Sequence, residues 1–308
     1  MPGNDSPTPI AIIVYNRPDM TQRVLEAISF FQPTKLFVVA DGPKNTQDND
    51  LCQQTRALID GIDWDCKIFK NYANSNMGCG LRVSSGISWA FESCDRAIIL
   101  EDDCVPNPSF FPYCEELLER YNSDERIGII SGDSFIDASD IEESYYFSNF
   151  PHTWGWATWK RTWDNFDLHL KNWPTIRNTG LLLDKTRSEY YSKKWNEIFE
   201  NMYESRIDTW DYQLVYMLWK QNQLSIVPKV NLVSNIGFGI QSTHTKNPND
   251  KLSCIPTSEM KFPLTHPKSI SINIEKDNDD LIYSFGPMPA RFSGSKKRIM
   301  KYIRDIFT

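Results

Sequence analysis

The sequence predicts an α/β domain with a mostly parallel central sheet and flanking helices. Short apolar, β-branched runs recur along the first 131 residues. Between them lie stretches with apolar residues at helical spacing, the signature of amphipathic helices. The connections are short, as in chains that alternate strand and helix.

Taken in order, Pro9 to Tyr15 reads as a buried strand, ended by Asn16-Arg17-Pro18. Asp19 to Phe31 follows as a helix, with Met20, Val24, Leu25, Ile28 and Phe31 on one stripe. Lys35 to Ala40 is a second strand, closed by Asp41-Gly42-Pro43. A helix is expected near Leu51 to Ile59 and a weaker third strand over Cys66 to Asn71. Gly78 to Glu92 reads as a helix with a glycine-rich start, and Arg96 to Leu100 as a fourth strand running straight into Glu101-Asp102-Asp103. Phe110 to Tyr121 is helical and Ile127 to Ser131 is a fifth strand.

The pattern changes after about Tyr145. Phe150 to Trp163 is rich in Trp and Gly, and Trp156, Trp159 and Trp163 are spaced as one helix face, with core packing expected for the last two. Ser188 to Gln221 reads as helical, Val227 to Val233 as a strand and Ile236 to Thr245 as a glycine-broken loop. Residues 246–292 are Pro- and Asn-rich with little periodicity. From Gly294 the chain is basic and amphipathic, with Ile299, Ile303, Ile306 and Phe307 forming an apolar stripe.

Composition narrows the partners and compartment. A chain of 308 residues buries roughly 75% of its unfolded surface and needs no disulfide staples. With 33 Lys+Arg against 40 Asp+Glu, the net charge of −7 argues against nucleic acid, which calls for a basic stripe. Seven cysteines, odd in number and without CxxC spacing, read as reduced thiols. No run approaches ~20 apolar residues, so no membrane-spanning helix is expected. Met1 to Asp5 shows no basic region before an apolar run, and a cytoplasmic location is expected.

In open α/β sheets ligands bind beyond the carboxyl ends of the strands. Those ends carry Asn16-Arg17, Asp41-Gly42 and Glu101-Asp102-Asp103. Three adjacent acids repel one another unless a positive charge sits among them, and a divalent cation shared with ligand phosphates would supply it.

At these residues the chain resembles nucleotide-sugar glycosyltransferases of the GT-A fold, above all the inverting N-acetylglucosaminyltransferase I family and the bacterial family 2 transferases. The likeness spans roughly residues 8–245. It rests on Glu101-Asp102-Asp103 followed by Pro106 and Phe110-Phe111, on Asn149-Phe150-Pro151-His152-Thr153-Trp154-Gly155-Trp156, and on Thr209-Trp210-Asp211-Tyr212. It implies a single GT-A, Rossmann-like catalytic domain over 1–245. A nucleotide-binding half (1–145) would precede an acceptor half (146–245), with a C-terminal extension over 246–308.

The resemblance also implies roles. Asp103 would be the direct ligand of a Mn²⁺ or Mg²⁺, with Asp102 on the metal or the ribose. Tyr15, Asn16 and Arg17 would surround the nucleotide, and Asp41 would read the uracil edge, although Asp41-Gly42-Pro43 is also a good turn. Arg82 would lie near the diphosphate or simply on a solvated helix face. Trp154 and Gly155 would shape the donor pocket. His244 would close on the metal or diphosphate, or be a plain loop residue. Asp211 would be the catalytic base, but the family has two acids after its Trp where this chain has Asp211-Tyr212, so Asp208 stays a candidate. Asp133 is the next after it.

The implied activity is metal-dependent, inverting transfer from a UDP-sugar, with UDP-GlcNAc the nearest parallel, to a glycan or lipid-linked glycan. A retaining route stays open. The alternatives are a noncatalytic nucleotide-sugar or glycan-binding protein on the same fold, and a sugar nucleotidyltransferase, whose usual glycine-rich phosphate loop is missing from Ile10 to Arg17. The basic C-terminal stretch suits peripheral contact with the inner face of the membrane.

Overall fold

The computed structural model describes residues 7–239, 247 and 251–293. His244 and the basic stretch from Gly294 lie outside the described residues.

The first part of the chain alternates as expected: β1 (Ile10–Val14), α1 (Pro18–Phe31), β2 (Lys35–Ala40), α2 (Thr46–Asp60), β3 (Lys67–Tyr72), α3 (Cys79–Ala90) and β4 (Arg96–Glu101). Then come β5 (Cys104–Pro106), α4 (Phe110–Arg120), β6 (Ile127–Ser131), β7 (Tyr145–Ser148) and β8 (Trp156–Trp159). Helices follow: α5 (Lys160–Trp163), α6 (Trp173–Ile176), α7 (Leu181–Thr186), α8 (Glu189–Tyr203) and α9 (Asp211–Lys220). The last described elements are β9 (Leu224–Pro228), β10 (Val233–Asn235), α10 (Ile274–Phe285) and α11 (Ala290–Ser293).

Eight strands form one sheet in the order β3-β2-β1-β4-β8-β6-β9-β7. β1 runs parallel to β2 on one side and to β4 on the other. β8 is antiparallel to both β4 and β6, and β7 is antiparallel to β9. The connections therefore leave β1 in one direction to β2 and β3 and return on its other side to β4. That reversal opens a crevice at the carboxyl ends of β1 and β4, where ligands bind in folds of this kind.

Strand alternation divides the core. Ile10, Ile12 and Val14 face one layer with Val24, Ile28, Leu117 and Leu118. Ala11 and Ile13 face the other with Val83, Ile87, Leu214 and Leu218. Both faces are covered, so all five residues of β1 are buried. A third cluster, containing Trp173, Trp195, Phe199 and Trp219, lies under α7 to α10.

The structure corrects several expectations. Trp156 and Trp159 belong to a strand, and only Trp163 is helical. Their three-residue spacing, read as one helix face, instead sends them to opposite sides of the sheet, Trp156 beside Trp163 and Trp210, Trp159 into the other layer. The long helical stretch from Ser188 breaks into α8 and α9, with Ser205 at φ 54° between them. The expected strand over Val227 to Val233 resolves into the end of β9 and the start of β10. Within the expected C-terminal extension, residues 251–293 pack on the sheet. Met260 and Leu264 enter the main core, Ile272 bridges Phe147 on edge strand β7, and Asp277 accepts the Ser148 hydroxyl at 2.6 Å.

Candidate active site

The crevice between β1 and β4 opens into a cleft of about 640 Å³. Arg17, Glu101 and Asp103 line it together with Trp154, Thr209 and Asp211.

At the end of β4 the acid triplet meets Arg17. Arg17 Nη1 donates to Asp103 Oδ2 at 2.8 Å, and Nη2 donates to Asp102 Oδ1. Asp102 Oδ2 also accepts the Tyr15 backbone N–H at 3.1 Å. Asp102, expected beside the metal or ribose, is buried and spends both oxygens clamping the β1 and β4 ends together. Asp103 stays on the cleft. Its backbone carbonyl accepts the Ile236 N–H at 2.9 Å, and a Cβ on Gly237 would come within 1.9 Å of its Oδ2. Only glycine at 237 leaves room for that carboxylate.

Charge is crowded here. Burial, then the charges of Asp103 and Asp102, push Glu101 up to about 8. Burial also raises Asp102 despite Arg17. Burial works against the Arg17 charge, but Asp102 and Asp103 outweigh it and hold the guanidinium protonated.

The other residues expected around the nucleotide are already bonded. Tyr15 donates its hydroxyl to Asp48 at 2.7 Å, and Asn16 donates its side-chain amide to the same carboxylate at 3.1 Å. Asp41 accepts from the Asn76 side chain at 2.8 Å and the Met77 N–H at 2.9 Å, which folds the 75–77 turn onto the end of β2. Arg82 is buried rather than solvated, and its guanidinium donates to the Asn71 backbone carbonyl. Burial lowers its pKa. Asn16 follows β1 and Asp41 follows β2, the strand ends read from the sequence; Asp48, which gathers Tyr15 and Asn16, was not singled out there.

Hydrogen bonding separates the two base candidates. Asp208 accepts the Cys79 N–H at 2.9 Å and the Gly80 N–H at 2.8 Å, capping the N-terminus of α3 with both oxygens. Asp211, first residue of α9, accepts the Thr209 hydroxyl at 2.6 Å and the Tyr212 N–H at 2.9 Å, both on Oδ1. No described residue donates to its Oδ2. Asp211 lines the cleft, and its charge is one of those that raise Glu101. Trp154 meets Phe135 and Phe238 edge-on at 4.8 and 5.6 Å. Gly155, at φ 68°, passes its carbonyl to Gly132 N–H at 2.8 Å and so turns the chain into β8.

The donor set has a definite bearing on metal binding. Among the described residues no three His, Cys, Asp or Glu side chains converge as metal ligands. Among the described residues, then, no site is built wholly from protein ligands of the kind that structural zinc takes. One cleft-facing carboxylate does fit Mg²⁺ or Mn²⁺, which keep several waters and take further oxygens from substrate phosphates.

No protein-family model and no curated protein matches the chain. Among solved structures it is similar to a 4-diphosphocytidyl-2C-methyl-D-erythritol synthase from Anaerococcus prevotii, with 9% identity over 71% of this chain and 88% of that one, TM-score 0.34. HddC from Yersinia pseudotuberculosis, complexed with GMP-PN, aligns at 8% identity over 51% of this chain and 80% of that one, TM-score 0.33. A UDP-glucose pyrophosphorylase complexed with UDP-glucose aligns at 10% identity over 45% and 62%, TM-score 0.27. The chemistry of the cleft is therefore read from this chain's own residues.

Proposed function

We propose that the chain is a metal-dependent glycosyltransferase that moves a sugar from a nucleoside-diphosphate sugar, UDP the preferred nucleotide, to a hydroxyl of a glycan. The observation that carries this reading is that Asp103, Arg17 and Asp211 line one and the same cleft. Asp103 would hold a divalent cation, which would supply the Lewis-acid charge that a leaving diphosphate needs.

The residues of the chain do the rest. Arg17 keeps Asp102 and Asp103 paired while the site is empty and leaves a fixed positive charge beside the phosphates. Asp211 Oδ2 takes the proton of the acceptor hydroxyl as its oxygen bonds to the anomeric carbon. The bond from that carbon to the diphosphate breaks, and the electron pair leaves with the nucleotide. One carboxylate suffices for such an inverting displacement, and general-base help of this kind contributes about 10²–10⁴-fold. Glu101, protonated near neutral pH, adds no second negative charge next to Asp211.

A sugar nucleotidyltransferase usually opens with a glycine-rich phosphate loop after its first strand. Here β1 passes into α1 through Tyr15-Asn16-Arg17, with no glycine. The acceptor class, a free or lipid-linked glycan, is proposed on the resemblance and the basic C-terminal stretch. No helix among the described residues is long and apolar enough to cross a membrane.

The test is a product assay with Mn²⁺. Nucleotide sugars are supplied with a glycan panel, and nucleoside triphosphates with sugar 1-phosphates in parallel. Release of UDP coupled to glycan extension supports the proposal. Pyrophosphate release from a triphosphate and a sugar 1-phosphate overturns it.

A further inference from the structure

A charged chain beside Trp154 takes no part in the transfer chemistry above. Asp133 follows β6 at the same edge of the sheet as the acid triplet. β8 lies between β4 and β6, so strand spacing sets the two exits about 10 Å apart. The Asp133 side chain is 0% exposed to solvent, yet it lines the cleft. Its Oδ1 accepts the Trp154 N–H at 3.1 Å. Its Oδ2 is buried without a hydrogen-bond partner, and His152 Nδ1 stands 3.6 Å from it.

His152 meets an acceptor on each side. Nδ1 is 3.2 Å from the Asp133 backbone carbonyl and Nε2 is 3.2 Å from Asp280 Oδ1. An imidazole donates from both nitrogens only as the imidazolium. Burial opposes that charge, but Asp280 and Asp133 outweigh it and push His152 up to about 9. The His152 ring stacks on Phe135 at 4.5 Å, and Phe135 meets Trp154 at 4.8 Å. Asp280 comes from α10, so the segment past residue 250 completes this corner of the cleft.

A buried oxygen with no partner is costly unless something in the cleft satisfies it. Aromatic rings around one fixed carboxylate suit a ring with apolar faces and hydroxyl edges. We infer that Asp133 Oδ2 takes a ring hydroxyl of a carbohydrate flanked by Trp154 and Phe135, while His152 and Asp280 fix the carboxylate from behind. That this sugar is the transfer acceptor rests on the proposed activity; the subsite itself does not.

The experiment uses the full chain labelled with ¹⁵N-histidine, titrated with a panel of methyl hexopyranosides. The chain has 4 His, and His152→Gln assigns the signal of interest. At least one glycoside is expected to move the His152 nitrogens. At pH 8, above the value of about 7 to which burial raises Asp133, its dissociation constant should rise about tenfold in Asp133→Asn, the loss of one hydrogen bond to a charged group. UDP affinity should hold. If no glycoside moves the His152 signal, or Asp133→Asn binds as wild type does, the subsite is overturned. Should Asp133→Asn fail to fold, the wild-type shift alone decides. Glycoside binding in a protein that binds no UDP would overturn the transferase reading and leave the subsite standing.

Discussion

Arg17 Nη1 donates to Asp103 Oδ2 at 2.8 Å, so the carboxylate proposed for the metal is held by a guanidinium from the neighbouring strand exit. The same side chain pairs with Asp102, which is only 3% exposed. Removing one partner of a buried pair strands the other charge, at a cost of about 3–5 kcal/mol. Arg17 is 20% exposed, so the lower end applies. Arg17→Met should lower unfolding stability by about 3 kcal/mol at pH 7 in urea titrations. A loss under about 0.5 kcal/mol, the range of ordinary surface substitutions, would show that the clamp holds nothing.

Glu101 gives a pH dependence with a definite sign. Its folded pKa, about 8, lies above the ordinary value of 4.5. Between those values the unfolded chain releases the proton and the folded chain keeps it. The unfolded state then binds fewer protons, and stability falls as pH rises from about 4.5 to 8. Glu101→Gln should lessen that decline in metal-free buffer, leaving the share of buried Asp133 and Asp277, each raised to about 7, and melt higher than wild type at pH 8. An unchanged pH profile would contradict the burial of an acid there.

Asp208 and Asp211 should separate cleanly. Asp208→Ala removes the cap of α3 and should cost about 1–2 kcal/mol, while Asp208→Asn keeps an acceptor and most of the activity. Asp211→Asn should reduce transfer about 10²–10⁴-fold with UDP affinity intact. Near-normal turnover in Asp211→Asn would remove it as the base.

Gly237→Ala tests how closely the 236–237 backbone is fitted to Asp103. The added Cβ would lie 1.9 Å from Oδ2, so the carboxylate must move. Metal-dependent UDP binding should weaken at least about tenfold, a small price in energy, 1.4 kcal/mol. Calorimetry that returns wild-type affinity would place Asp103 outside the binding site.

The sequence was legible where one local signal carried the answer. Buried strands such as Ile10–Val14, all apolar, and Ile127–Ser131, apolar but for its last residue, are bounded by turn residues and form where Pro9 to Tyr15 and Ile127 to Ser131 were expected as strands. The acid triplet stood out because it follows such a strand directly. What was not legible depends on pairing between distant segments. Trp156 to Trp159 is too short for its period to choose strand over helix, and only its place between β4 and β6 decides. α10 is mostly polar, stabilised by an Asn273 cap and by Asp277 and Asp280 reaching back to residues 148–152. Nothing near residue 280 announces that contact. Asp208 and Asp211 look equivalent in sequence; only the N–H groups of Cys79 and Gly80, some 130 positions away, reveal the first as a cap.

The most direct measurement of the central claim is the thermal shift produced by UDP with Mn²⁺ and with EDTA, in the wild type and in Asp103→Asn. Ligand at a hundredfold excess over its dissociation constant stabilises by about 2.7 kcal/mol, roughly 5 °C for a chain of this size. The expected result is that shift in the wild type with Mn²⁺, little or none with EDTA, and little or none in Asp103→Asn under either condition. Equal shifts with and without metal, or a full shift in Asp103→Asn, would contradict a metal-bridged nucleotide at the end of β4.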